Sequence, residues 1–156
     1  MAGIDIGSLQ VRIEAHVNAL TRNLSVLTRN TTRAIINRLA TSTPVDTGDA
    51  VSNWQVSLNG PPTTRLPPYF PGNAGSTRGE NARAMLIAAR AVIPNFYVAK
   101  GDILYIGNTA PHIEKLNKGS STQAPAGFVE AAILAGSQHV RSSAPIITGK
   151  YTDDVS

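Results

Sequence analysis

Three observations predict an α+β chain. Residues 9–43 carry a helical apolar period without a single Pro or Gly; Thr43-Pro44-Val45-Asp46-Thr47-Gly48 then halts that helix; an alternating segment with the only tryptophan, Trp54, follows. Within the first segment Leu9, Ile13, Val17, Leu20, Leu24, Leu27, Ile35 and Leu39 recur in steps of three and four, with Thr31 and Ser42 completing the series. This is one helical face, and a helix from Leu9 to about residue 42 would be roughly 50 Å long at about 1.5 Å per residue. Arg22, Arg29 and Arg33 fall together on the opposite side as a basic ridge, either solvated or in contact with DNA or an acidic partner.

Pro44 lacks an amide hydrogen and disfavours helical backbone at Thr43, so the helix stops there. Asp46 is expected to bond its own downstream backbone and Gly48 to supply a positive φ, letting the chain turn sharply. From Ala50 to Leu58 the period is two, which predicts a strand from about Asp49 whose even-numbered face, Trp54 included, looks inward. Trp54 reads as a core anchor laid on the long helix.

Residues 59–79 hold Pro61, Pro62, Pro67, Pro68 and Pro71 among four glycines, a long loop. Such loops are either unstructured excursions or arms with a task, and Leu66, Tyr69 and Phe70 would anchor an arm to a neighbouring subunit. Residues 80–93 predict a second helix, with Ala82, Met85, Leu86, Ala89 and Ile93 on one side, ended by Pro94. Phe96–Ala99 and Ile103–Ile106 around Lys100-Gly101-Asp102 suggest a β-hairpin. A short helical segment at 111–117 closed by Gly119 precedes a last helix starting at Pro125, with Phe128, Val129, Ala132, Ile133, Gly136 and Val140 on its buried side. We expect one domain over 1–141 and a tail over 142–156 that extends or frays unless a partner captures it.

At 156 residues the chain is long enough for one real core, built mainly from aliphatic residues since it holds three Phe, one Trp and four Tyr. The absence of cysteine excludes disulfides, thiol nucleophiles and cysteine-containing zinc sites. No apolar run approaches membrane-spanning length, and Met1-Ala2-Gly3-Ile4-Asp5 does not resemble a signal peptide, so a soluble chain with no membrane partner is expected. The net charge of +4 is compatible with acidic partners without requiring them.

Catalytic patterns are missing. His16, His112 and His139 are far apart, and His112 with Glu114 imitates a deaminase motif whose two cysteines the chain lacks. There is no nucleophile elbow, phosphate loop or dinucleotide fingerprint. Asp46 and Asp49 read as turn and surface residues before a shared cation site. We therefore expect no enzyme activity, no cofactor and no metal.

Three phrases in order carry a resemblance. Thr43-Pro44-Val45-Asp46-Thr47-Gly48 with Trp54, then Ile103-Leu104-Tyr105-Ile106-Gly107-Asn108 with Pro111, then Ser121-Thr122-Gln123-Ala124-Pro125-Ala126-Gly127-Phe128-Val129, behind a long helix, resemble tailed-bacteriophage tail-completion and head-tail joining proteins over residues 9 to about 135. His112 stands where such proteins often carry an aromatic residue, and Leu116-Asn117-Lys118-Gly119 where Leu-Glu-x-Gly is common. The resemblance implies helices packed on a small, mainly antiparallel sheet. It also implies a non-enzymatic virion protein, assembled in the host cytoplasm, that forms a homo-oligomeric ring at the neck or tail top. Its partners would be its own copies, other neck, portal-adaptor or tail-tube proteins and, transiently, the DNA passing through. The alternative is a non-specific DNA-binding module using Arg22, Arg29 and Arg33; a hydrolase with a dispersed site ranks third.

Overall fold

The computed structural model describes Gly3 and residues 5–154. Helix α1 spans Ile6–Ser42. It starts ahead of Leu9 because the Asp5 carboxylate accepts from the Gly7 and Ser8 amides at 3.1 and 3.2 Å, an N-cap lying upstream of the apolar series. It ends as expected: Thr43 turns extended, with its N–H still donating to the Leu39 carbonyl.

The apolar face of α1 divides in two. Leu27 and Leu39 are buried together with Val26, Ile36 and Ala40, whereas Leu9, Ile13 and Val17 are 44%, 55% and 52% exposed. All residues from Asp5 to Asn18 are exposed. The reason is length: at about 1.5 Å per residue α1 is about 55 Å long, while the helix packed along it, α5 (Phe128–Ser142), has 15 residues and covers about 22 Å. The two helices approach closely at Gly136, where a Cβ would stand 2.5 Å from Cγ1 of Ile35.

After the turn, Asp49–Ser52 is a single helical turn, α2, and strand β1 is only Trp54–Leu58. The expected strand from Asp49 is thus shortened at its start: Gly48, at φ +93°, places its carbonyl to accept from the Ser52 amide. Within β1 the even positions do face inward, Trp54 and Val56 being buried. Helix α3 spans Arg78–Val92 and buries Met85 and Ala89, with Ile93 buried just beyond its end. Short 3₁₀ turns follow at Ile93–Asn95 and Val98–Lys100.

The expected hairpin around Lys100-Gly101-Asp102 does not form. Strand β2, Leu104–Asn108, pairs antiparallel with β1 instead, in the register Trp54↔Asn108, Val56↔Ile106 and Leu58↔Leu104. Pairing with β1 sets Leu104 and Ile106 against the core, and Phe96 is buried beyond the 3₁₀ turn rather than spread along a strand. Helix α4 is Ile113–Asn117. The final helix starts at Phe128, three residues after Pro125, because Gly127 at φ +79° makes the turn into it. Ile133 and Val140, expected on its buried side, are 54% and 44% exposed; Phe128, Ala132 and Gly136 form the buried stripe.

The fold is therefore α+β, with a two-stranded antiparallel sheet and helices packed around it. One core joins Ile36, Leu39 and Val45 to Trp54, Met85 and Phe128. No helix among the described residues is long and apolar enough to cross a membrane.

Candidate functional site: the junction of three segments

The turn at 43–48 is the hub on which distant segments close. Thr43 is fully buried; its Oγ1 donates to the Leu39 carbonyl at 2.6 Å and accepts from Nε1 of Trp54 at 2.9 Å. This hydroxyl satisfies both a helix-end carbonyl and a buried indole N–H, fixing Trp54 against the end of α1. Trp54 is a core anchor, as its isolated position in the sequence suggests.

From the far end of the chain, Gln123 binds Val45 twice. Its Oε1 accepts from the Val45 amide at 2.8 Å, and its Nε2 donates to the Val45 carbonyl at 2.9 Å. Arg78 reaches the same Oε1. Ala124, next to it, is buried in the core. Asn108, at the end of β2, donates to the Ala50 carbonyl at 2.8 Å and accepts from the Ala110 amide at 2.8 Å. The three phrases of the resemblance thus meet, the second through Asn108 opposite Trp54, and Pro44, Asp46, Thr47, Asp49, His112 and Gln123 line a cleft of about 320 Å³ beside the turn. Tyr105 is half-buried opposite Ser57, and Pro125 is exposed.

Asp46 does not bond its own downstream backbone. Its Oδ1 accepts from the Ala74 amide at 2.9 Å and its carbonyl from the Gly75 amide at 3.0 Å, so it binds the Pro-rich loop. Asp49 is held by Arg65 at 3.0 Å and by Asn53, with His112 at 3.7 Å. Among the described residues no group of three or more His, Cys, Asp or Glu is placed to hold a metal ion.

The loop of residues 59–79 is neither loose nor a free arm. Asn53 accepts from the Leu66 amide and donates to the Leu66 carbonyl at 2.8 and 2.9 Å; Asn81 does the same to Phe70 at 2.9 and 2.7 Å. Both asparagines are fully buried. Each side-chain amide imitates a strand partner for one residue of a segment whose prolines prevent a ladder. Leu66, Tyr69 and Phe70 therefore have their backbones fastened to their own subunit, while the Tyr69 and Phe70 side chains stay 37% and 49% exposed. Asn53 and Asn81 were not singled out from the sequence. For Asn81 a signal existed: it shares the face of Met85 and Ala89 in α3, and a polar residue on a buried face needs partners.

The basic ridge is split. Arg22 is exposed, but Arg29 and Arg33 are buried, and both bind Asp153 of the chain's own tail. Arg29 gives a two-pronged contact, Nε to Oδ1 at 2.7 Å and Nη2 to Oδ2 at 2.8 Å, while its Nη1 donates to the Phe96 carbonyl at 3.0 Å. Its guanidinium also lies over the Tyr97 ring, 5.6 Å from the centroid. The acidic neighbour is thus intramolecular, and two of three cations that a DNA-binding face would need are engaged. The hydrogen bond from Arg29, with help from Arg33, holds the Asp153 carboxyl below its ordinary range against the opposing effect of burial.

No protein-family model, curated protein or solved structure matches the chain.

Proposed function

We propose that this chain is a structural virion protein of a tailed phage that forms a ring at the neck or tail top, joins or completes head and tail, and lets DNA pass. The observation that carries this reading is the unpartnered N-terminal third of α1, about 20 Å of amphipathic helix whose Leu9, Ile13 and Val17 face solvent. The convergence of the three resembling phrases on one junction supports it, since the shared residues set the angle between α1 and the sheet. A second copy is the occupant we assign to the exposed stripe. A lone amphipathic stretch of this length buries less than the roughly 800 Å² per partner of a stable interface, so the contact is weak in a pair and is reinforced when a closed ring repeats it. In such a ring the stripe meets a different patch on the next copy. The protein's work is geometric, and no residue is given a catalytic role.

Sedimentation of the purified chain and cryo-electron microscopy of virions test the proposal. A closed oligomer, and density for the chain at the neck or tail top, are expected. A strictly monomeric protein absent from purified particles overturns it.

A further inference from the structure

The tail beyond α5 lies along one face of α1 through a set of contacts that read an extended peptide. Asn23 donates to the carbonyls of Ile146 and Gly149 at 2.7 and 3.2 Å. One turn pair further on, Asn30 donates to the Thr152 carbonyl at 2.8 Å and accepts from the Asp154 amide at 2.9 Å. Beside them Arg29 and Arg33 take Asp153. Asn23 and Asn30 are seven residues apart, two helical turns, so they stand on one line along α1. A cleft of about 280 Å³ lined by Arg29, Arg33, Pro94, Tyr97 and Asp153 adjoins the bound segment.

We infer that this face of α1 is an exchangeable docking site, filled by the C-terminal segment of its own chain in an isolated copy and by that of the neighbouring copy in the assembly. The inference rests on the ring reading above. Three features carry it. First, the anchoring contacts are hydrogen bonds and ion pairs from Asn23, Asn30, Arg29 and Arg33, which can be remade on another copy, while Ile147 is 69% exposed and Ile146 and Tyr151 are only half-buried. Second, the site is charge-matched only when filled. With the segment docked Arg29 and Arg33 are 8% and 7% exposed and share the Asp153 carboxylate, and release of the segment takes that carboxylate from both. In a closed ring each copy gives one segment and receives one, so every site stays filled. Third, the span is adequate: the segment from Ser143 to Asp154 can reach at most about 40 Å when extended, enough to pass to an adjacent small domain. Asn23 also leaves its Oδ1 buried without a partner, so the face has hydrogen-bonding capacity that the bound segment does not use.

The cysteine-free sequence makes thiol trapping clean. Ala34 is one helical turn beyond Asn30 on the same line, close to where Asp154 docks, and the Ala34 and Asp154 side chains make none of the anchoring contacts. Full-length Ala34→Cys and Asp154→Cys copies, mixed and treated with a short bis-maleimide, are expected to give a covalent pair. Asp153→Asn in the Asp154→Cys copy lowers its yield roughly tenfold by removing the charge-assisted contact. A double variant carrying both cysteines in one chain reports docking within a copy. Closure of the double variant with no mixed pair overturns exchange, and failure of both products removes the docking site altogether. Sedimentation of the unaltered chain separates the two readings: an oligomer without mixed pairs leaves the ring and removes the exchange, whereas a monomer at every concentration removes both.

Discussion

Gln123 holds Val45 across 78 positions of sequence by both its amide and its carbonyl, a two-bond clasp between the segment that leads into the last helix and the turn that ends the first. Neither partner could satisfy the Val45 backbone through secondary structure, because Pro44 has stopped α1 and β1 has yet to begin. The clasp takes the place of a ladder.

Replacing Gln123 with Ala is therefore expected to destabilise the fold by about 1–2 kcal/mol, the range for hydrogen bonds lost from partly buried backbone. Gln123→Glu should also weaken it, since a carboxylate has no donor for the Val45 carbonyl. Urea unfolding followed by the fluorescence of Trp54 measures both, and wild-type stability in each variant would contradict the role assigned to the clasp.

Gly48→Ala meets two obstacles. The backbone there has φ +93°, and a Cβ would stand 2.4 Å from Nδ2 of Asn81. Gly101→Ala meets only the first, for at φ +72° its Cβ would find open space. We expect about 1 kcal/mol for Gly101→Ala and clearly more for Gly48→Ala. Because Asn81 fastens Phe70, hydrogen exchange near residues 66–74 should accelerate in the Gly48 variant alone.

What could be read from the sequence follows from how local each determinant is. The halt of α1 at Pro44, the helix α3 and the inward face of Trp54 and Val56 depend on neighbours no more than about four positions away, and these readings agree with the fold; the start of α1 at Ile6 was set instead by the Asp5 cap, upstream of the apolar series. The pairing of β2 with β1 depends on residues some 50 positions apart, so a nearer partner across Gly101 looked equally suitable. The ridge of Arg22, Arg29 and Arg33 was visible as a pattern, yet its meaning lay in Asp153 at the opposite end of the chain. The amide contacts of Asn53 and Asn81 follow no period at all, since each recognises one residue of an irregular loop.

Acid should release the tail before it unfolds the body. The Asp153 carboxyl is held below its ordinary value of 3.8, chiefly by the Arg29 hydrogen bond, so its contribution is fully present above that value and is lost as pH falls through the lowered folded value. Between neutral pH and about pH 5 no change is expected. Below the ordinary carboxylate range, hydrogen exchange at residues 146–154 should rise; Asp153→Asn should show the faster exchange already at neutral pH, with no further acid step from this group.

Changing Leu9, Ile13 and Val17 together to Gln separates assembly from folding. Their side chains are exposed, so the unfolding free energy of the monomer should change by no more than about 0.5 kcal/mol for each substitution, about 1.5 kcal/mol in all. Sedimentation should nevertheless show the oligomer lost. Retention of the full oligomer by this triple variant would contradict the use of the stripe as a subunit contact.

The amide fastenings of the Pro-rich loop bear on solubility. A stretch held flat by a continuous ladder would present a row of open N–H and C=O groups that could recruit a strand from another molecule. Here Leu66 and Phe70 are gripped one at a time by side chains from inside the body, and the prolines between them have no N–H to offer. The molecule thus keeps a long irregular segment ordered on its surface without creating an edge onto which other chains could add.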